Sequence, residues 1–140
     1  MIAPKVEKII SVMKSKGYDV FEDDKKNYNL NLVGIRTNTN KPDSFDDLLL
    51  VFWKFKGVWN LLSFQATTDP GLFVLQNPEN SLGTAIVKEG QYKKLWKIGK
   101  HKGKYKALVQ NAKVTVIRDF NRDSKLDFNS GREVTGVYGI

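Results

Sequence analysis

The sequence contains no cysteine and a single histidine, His101. Without cysteine there is no disulfide framework, no thiolate metal site and no cysteine nucleophile. One histidine leaves no site built on several imidazoles. No run approaches the roughly 18 apolar residues that a membrane-spanning helix requires. Met1 to Met13 alternates charged and apolar residues, so it lacks the uninterrupted apolar stretch of a secretory leader. Acids are also few: 15 Asp and Glu stand against 23 Lys and Arg in 140 residues, for a formal net charge of +8. At 41% hydrophobic residues, the composition is too apolar for a disordered tail. The length predicts a single domain over 1–140.

The positive charge points to an anionic partner, with nucleic acid, a cell-wall polymer and a membrane surface all compatible with it. Hydrophobic spacing organises the rest. Val6, Ile9, Ile10 and Met13 recur at the interval of one helical face, with Pro4 at the start and Gly17 as a stop, and predict a helix within 1–17. From Tyr28 onward the period becomes two. Tyr28, Leu30 and Leu32 predict a half-buried strand, and Leu48 to Phe55 a central one. Lys56-Gly57 predicts a tight turn, with Val58 to Phe64 returning from it. Thr67 to Gly71 reads as a turn. Leu72–Leu75, Gly83–Val87, Tyr92–Ile98, Ala107–Val109, Lys113–Ile117 and Val134–Ile140 read as further strands. The expected fold class is α+β and mostly β, one N-terminal helix packed on an antiparallel, sandwich-like or barrel-like β scaffold over 28–140. The apolar ending Val137-Tyr138-Gly139-Ile140 has no closing polar tail, and predicts a chain incomplete at its C-terminus.

Two segments stand out chemically. Lys88 to Lys106 carries eight lysines, with Glu89 as its only acid and Tyr92, Trp96 and Tyr105 interleaved. If the stretch is extended, Lys100, Lys102, Lys104 and Lys106 project from one face and would bind a polyanion. Aromatic rings between them suit stacking on bases or sugars. The plainer alternative is a solvated lysine face backed by core aromatics. The second segment, Asp119 to Asp127, places side-chain oxygens of Asp119, Asn121, Asp123 and Asp127 at positions 1, 3, 5 and 9 of a calcium loop, with the Lys125 carbonyl at position 7. Ser124 replaces the glycine of position 6, and Ser130 the bidentate acid of position 12, for which Glu133 is a substitute from further on. The plainer alternative is an Asx-rich turn. His101 has no nucleophile beside it in sequence and no triad to join. Asp43, Asp46 and Asp47 share a loop without the pairing that a two-carboxylate glycosidase site needs.

Several segments in order, TTDPG at 67–71, GTAIVKEGQY at 83–92, KIGKHKGKYKALVQ at 97–110 and RDFNRDSKLDF at 118–128, resemble the N-terminal part of a family of endolysin-like proteins of phages that infect gut Bacteroidales. That family is distantly similar to L,D-transpeptidases. The resemblance covers about residues 28 to 140. It implies a phage-encoded protein made in the bacterial cytoplasm, or associated with the virion, that acts on peptidoglycan or another anionic polymer. In the family the chain continues past Tyr-Gly-Ile into an Asn-Ile-His-Arg motif and then a Ser-Ala-Gly-Cys motif bearing the nucleophile. The sequence stops at Gly139 and Ile140, so no catalytic residue carries over. On matched positions the resemblance places Tyr92, His101 and Tyr105 near a substrate groove. The alternatives are a basic module for single-stranded nucleic acid and a virion structural protein without chemistry.

Overall fold

The computed structural model describes residues 1–39, 41–128 and 131–139, and the chain folds as two compact units. The first comprises Met1–Thr39 and Ser44–Thr68; the second comprises Asn40–Asp43 and Asp69–Ile140.

In the first unit, α1 (Val6–Ser15) forms where the apolar stripe predicts it. It ends because Gly17 takes φ 74, which lets the Gly17 N–H reach the Lys14 carbonyl and the Tyr18 N–H reach that of Met13. This paired closure satisfies carbonyls that a helix end otherwise leaves bare. Three strands follow, β1 (Asn31–Ile35), β2 (Asp47–Phe55) and β3 (Val58–Ala66), in the antiparallel order β1-β2-β3. Between β2 and β3, Lys56 and Gly57 adopt φ 50 and 78, the primed turn whose twist matches that of the strands it joins. One face of the sheet presents Leu48, Leu50 and Phe52, which pack with Val6, Ile9 and Met13 of α1 into the core of this unit. Ile10, Val33, Ile35, Trp59 and Leu61 surround that core.

The first strand differs from its sequence reading. It begins at Asn31 and not at Tyr28, which takes φ 66 and lies 5.5 Å, ring to ring, from Trp53. Asn31 is buried. Its amide donates to the carbonyls of Phe21 and Phe52, and its Oδ1 accepts from the Phe21 N–H. With Asn31 turned inward, Val33 and Ile35 face the core and Leu32 falls on the opposite face, because strand side chains alternate.

The second unit contains α2 (Leu72–Gln76), β4 (Ala85–Val87), β5 (Trp96–His101), β6 (Tyr105–Gln110), β7 (Val114–Arg118) and β8 (Arg132–Val137). Strands β4, β7 and β8 form an antiparallel sheet in the order β4-β7-β8, and β5 and β6 form a separate hairpin. Ile86, Val114 and Val116 are buried here. Leu72–Leu75, expected as a strand, is a short helix: the Leu75 N–H bonds the Gly71 carbonyl, and Leu75 is the residue it buries. Four apolar residues carry no period that separates helix from strand. The Tyr92 end of another expected strand lies outside any strand, and β5 starts at Trp96. The expected strand end at Ile140 lies outside the described residues. The chain is thus mostly β with an N-terminal helix on an antiparallel sheet, and among the described residues no sheet closes into a barrel. Among the described residues no helix is long and apolar enough to cross a membrane.

Candidate metal loop and basic hairpin

Asp119 directly follows β7 and is buried. Its backbone N–H donates to the Thr84 carbonyl at 2.9 Å, which ties the loop's start to the residue before β4. Its carboxylate oxygens accept the N–H groups of Asp123 and Ser124, both at 3.2 Å. These bonds fold the loop back on itself. They bring one carboxylate oxygen each from Asp119, Asp123 and Asp127 within 4.8 Å of one another. Each oxygen has two lone pairs, so these acceptors keep capacity for a cation. The residues present are hard oxygen donors, the type that suits calcium or magnesium. Asn121, Asp123, Lys125 and Asp127 also line a shallow pocket of about 460 Å³.

Ser124 takes φ 64, the left-handed conformation that the loop pattern assigns to glycine at its sixth position. The chain therefore makes that sharp turn with serine. The other expected ligands divide. Asn121 turns its Oδ1 to the Asp123 N–H at 3.1 Å, and the Lys125 N–H donates to Asp123 Oδ1 at 3.0 Å. Glu133, the substitute for a twelfth ligand, lies on β8 with an oxygen 2.6 Å from Lys88 Nζ, and its carboxylate holds the Lys88 ammonium above the usual lysine pKa. Position 12 itself, Ser130, lies outside the described residues.

The lysine strip is a hairpin and not one extended run. Lys100 on β5 pairs with Lys106 on β6, and His101 with Tyr105. Lys102 and Gly103, at φ 49 and 67, turn the chain, and the Lys104 N–H closes on the His101 carbonyl at 3.0 Å. Directly opposed residues share a face. Lys100 and Lys106 therefore do lie on one side, together with Ile98 and Leu108, whereas Lys102 and Lys104 sit in the connection. Ile98 is 79% exposed. Lys104 Nζ lies 5.2 Å from the centroid of the exposed Tyr105 ring, a cation–π distance.

Of the three expected substrate-side residues, His101 and Tyr105 are cross-strand neighbours. Tyr92 has a different setting: its hydroxyl lies 2.8 Å from the Lys88 carbonyl and 3.2 Å from that of Thr115. No acid occurs from Gly90 to Arg118, so the hairpin and both its flanks carry positive charge only. Sequence reasoning passed over Arg118, which is buried with a guanidinium N–H on the Gly83 carbonyl at 2.7 Å. It continues the alternation of Val114 and Val116, and that pattern was its signal. No protein family, curated protein or solved structure matches the chain.

Proposed function

We propose that the chain is a non-catalytic binding part of a peptidoglycan-directed phage protein and grips an anionic polymer through the β5–β6 hairpin. The observation that supports this reading is the acid-free stretch from Gly90 to Arg118, folded so that lysines occupy both strands and the tip of the hairpin. Lysine ammonium groups attract a polyanion without demanding one sequence, and polyanion binding releases counterions, so affinity falls as salt rises. The resemblance to endolysin-like proteins names the polymer as one of the bacterial envelope. Cys/His chemistry is not assigned to this chain, which has no cysteine and one histidine. Lys100→Glu, Lys102→Glu and Lys104→Glu combined should weaken binding to purified cell-wall sacculi by more than about tenfold and flatten its salt dependence. Unchanged affinity and salt slope in a co-sedimentation series would reject the hairpin as the grip. Preference for a single-stranded oligonucleotide over sacculi would select the nucleic-acid reading, which the exposed rings of Trp96 and Tyr105 favour.

A second reading, carried by the carboxylates of Asp119, Asp123 and Asp127, assigns calcium to the loop. Three acids without a bidentate twelfth ligand suit a dissociation constant of about 10⁻⁴ to 10⁻³ M. Calcium at about 10 mM would then stabilise the folded second unit by about 1.4 to 2.7 kcal/mol through mass action. Magnesium would do less, since it demands octahedral geometry and sheds water reluctantly. Thermal melts with each ion, on the parent and on Asp123→Ala, read this directly. A parent midpoint indifferent to calcium leaves the loop as an Asx turn.

A further inference from the structure

Edge strands expose unpaired backbone groups, and proteins protect them with charge, proline, irregularity or shortness. Most edges here are protected in one of these ways. Strand β4 has three residues and β1 has five. Strand β8 carries Arg132 and Glu133, with Gly136 at φ 74 and a register shift against β7. Strands β5 and β6 bear lysines. Strand β3 has none of these protections. It is nine residues long, VWNLLSFQA, without charge, proline or glycine, and it pairs with β2 along its whole length without irregularity. Among the described residues no strand lies on its outer side.

We propose that β3 is a dimerisation edge, and that its occupant is β3 of a second copy of this chain, running antiparallel about a two-fold axis. Charge favours this occupant. In a protein of net charge +8, an uncharged strand is where two copies can meet without opposing like charges. The register follows from the turn. Phe55 and Val58 flank a two-residue loop and form a hydrogen-bonded pair, so Trp59, Leu61, Ser63 and Gln65 point their N–H and C=O groups outward. The symmetric register that uses all four pairs Trp59 with Gln65 and Leu61 with Ser63. It sets Leu62 opposite Leu62 on the axis. Leu62 is 50% exposed, and so is available for this contact.

The test exploits the absence of native cysteine. Facing residues in a non-hydrogen-bonded pair have Cα atoms about 4.5 Å apart, within disulfide reach. Leu62→Cys should therefore cross-link to a covalent dimer under mild oxidation. Val58→Cys should not, because Val58 would face Ala66 of the other copy and lie about 27 Å from its own counterpart. By sedimentation the parent should show twice its 15.9 kDa mass, and Leu62→Lys, which opposes two ammonium groups, should revert to monomer with unchanged circular dichroism. A monomeric parent up to millimolar concentration overturns the proposal. So does Val58→Cys cross-linking as fully as Leu62→Cys, or a Leu62→Lys protein that stays dimeric.

Discussion

Asp47→Ala is expected to destabilise the first unit by about 3 to 5 kcal/mol, because it strips a buried charge from the groups that solvate it. Asp47 opens β2 and is fully buried. One carboxylate oxygen accepts the Thr37 N–H at 2.8 Å, and the other accepts the Thr68 N–H at 2.7 Å and its hydroxyl at 2.8 Å. Arg36 braces the same corner, with its guanidinium on the Thr68 hydroxyl and carbonyl at 2.9 Å each. One side chain thus ties the segment after β1 to the segment after β3. Alanine would leave the part-buried N–H groups of Thr37 and Thr68 without this acceptor.

Burial pushes the Asp47 carboxyl pKa up, but the hydrogen bonds from Thr37 and Thr68 outweigh it, so the pKa lies below the ordinary 3.8. A carboxyl that ionises more readily when folded adds stability above its unfolded pKa, and that stability drains away as pH falls through the folded value. Below about pH 4, the parent should therefore lose stability more steeply than Asp47→Ala. Urea titrations at pH 7, 4 and 3 give both quantities. A variant whose acid limb is as steep as the parent's would show that Asp47 is not the titrating group.

The second large effect is Gly83→Ala. Gly83 has φ 91, and a β-carbon there would stand 2.0 Å from the Asp119 carbonyl oxygen. Backbone must therefore move. The backbone that moves is anchored by the Asp119 N–H on Thr84 and by the Arg118 guanidinium on the Gly83 carbonyl. Strain and overpacking together should cost about 3 to 5 kcal/mol. Any calcium-induced rise in midpoint should vanish with it, since Asp119 belongs to the triad. Gly17→Ala is the matched control: φ is 74, but nothing lies within 4 Å of the added carbon, so about 1 kcal/mol is expected. Equal losses in the two variants would show that conformation alone, and not the approach of Asp119, makes position 83 demanding.

These two positions also mark where sequence reading succeeds and stops. Helix α1, its glycine stop and the Lys56-Gly57 hairpin were legible because each rests on neighbours in sequence. The acidic loop was legible as spacing, and three of its carboxylates do converge. What was not legible depends on distant partners. Asp47 reads as one of three loop acids until Thr37 and Thr68 close around it. The facing of β1 was misread because Tyr28, Leu30 and Leu32 alternate well, whereas Asn31 is drawn inward by the backbone of Phe21, ten residues away. One buried amide reverses the parity of the strand. The period-two spacing of Lys100 to Lys106 puts all four lysines on one face only if the stretch is extended, and the positive φ of Lys102 and Gly103 folds it into a hairpin instead.

The order in which the chain is made gives β3 a further significance. All of the first unit comes from residues up to Thr68, and its longest pairing closes over a two-residue turn, an event of microseconds. Translation adds roughly 5 to 20 residues per second, so several seconds pass while the remaining residues of the second unit are polymerised. During that interval an uncharged nine-residue strand is complete, with no strand on its outer side among the described residues. Ribosomes following one another along a single message hold such nascent strands close together, at a local concentration far above that of the released protein.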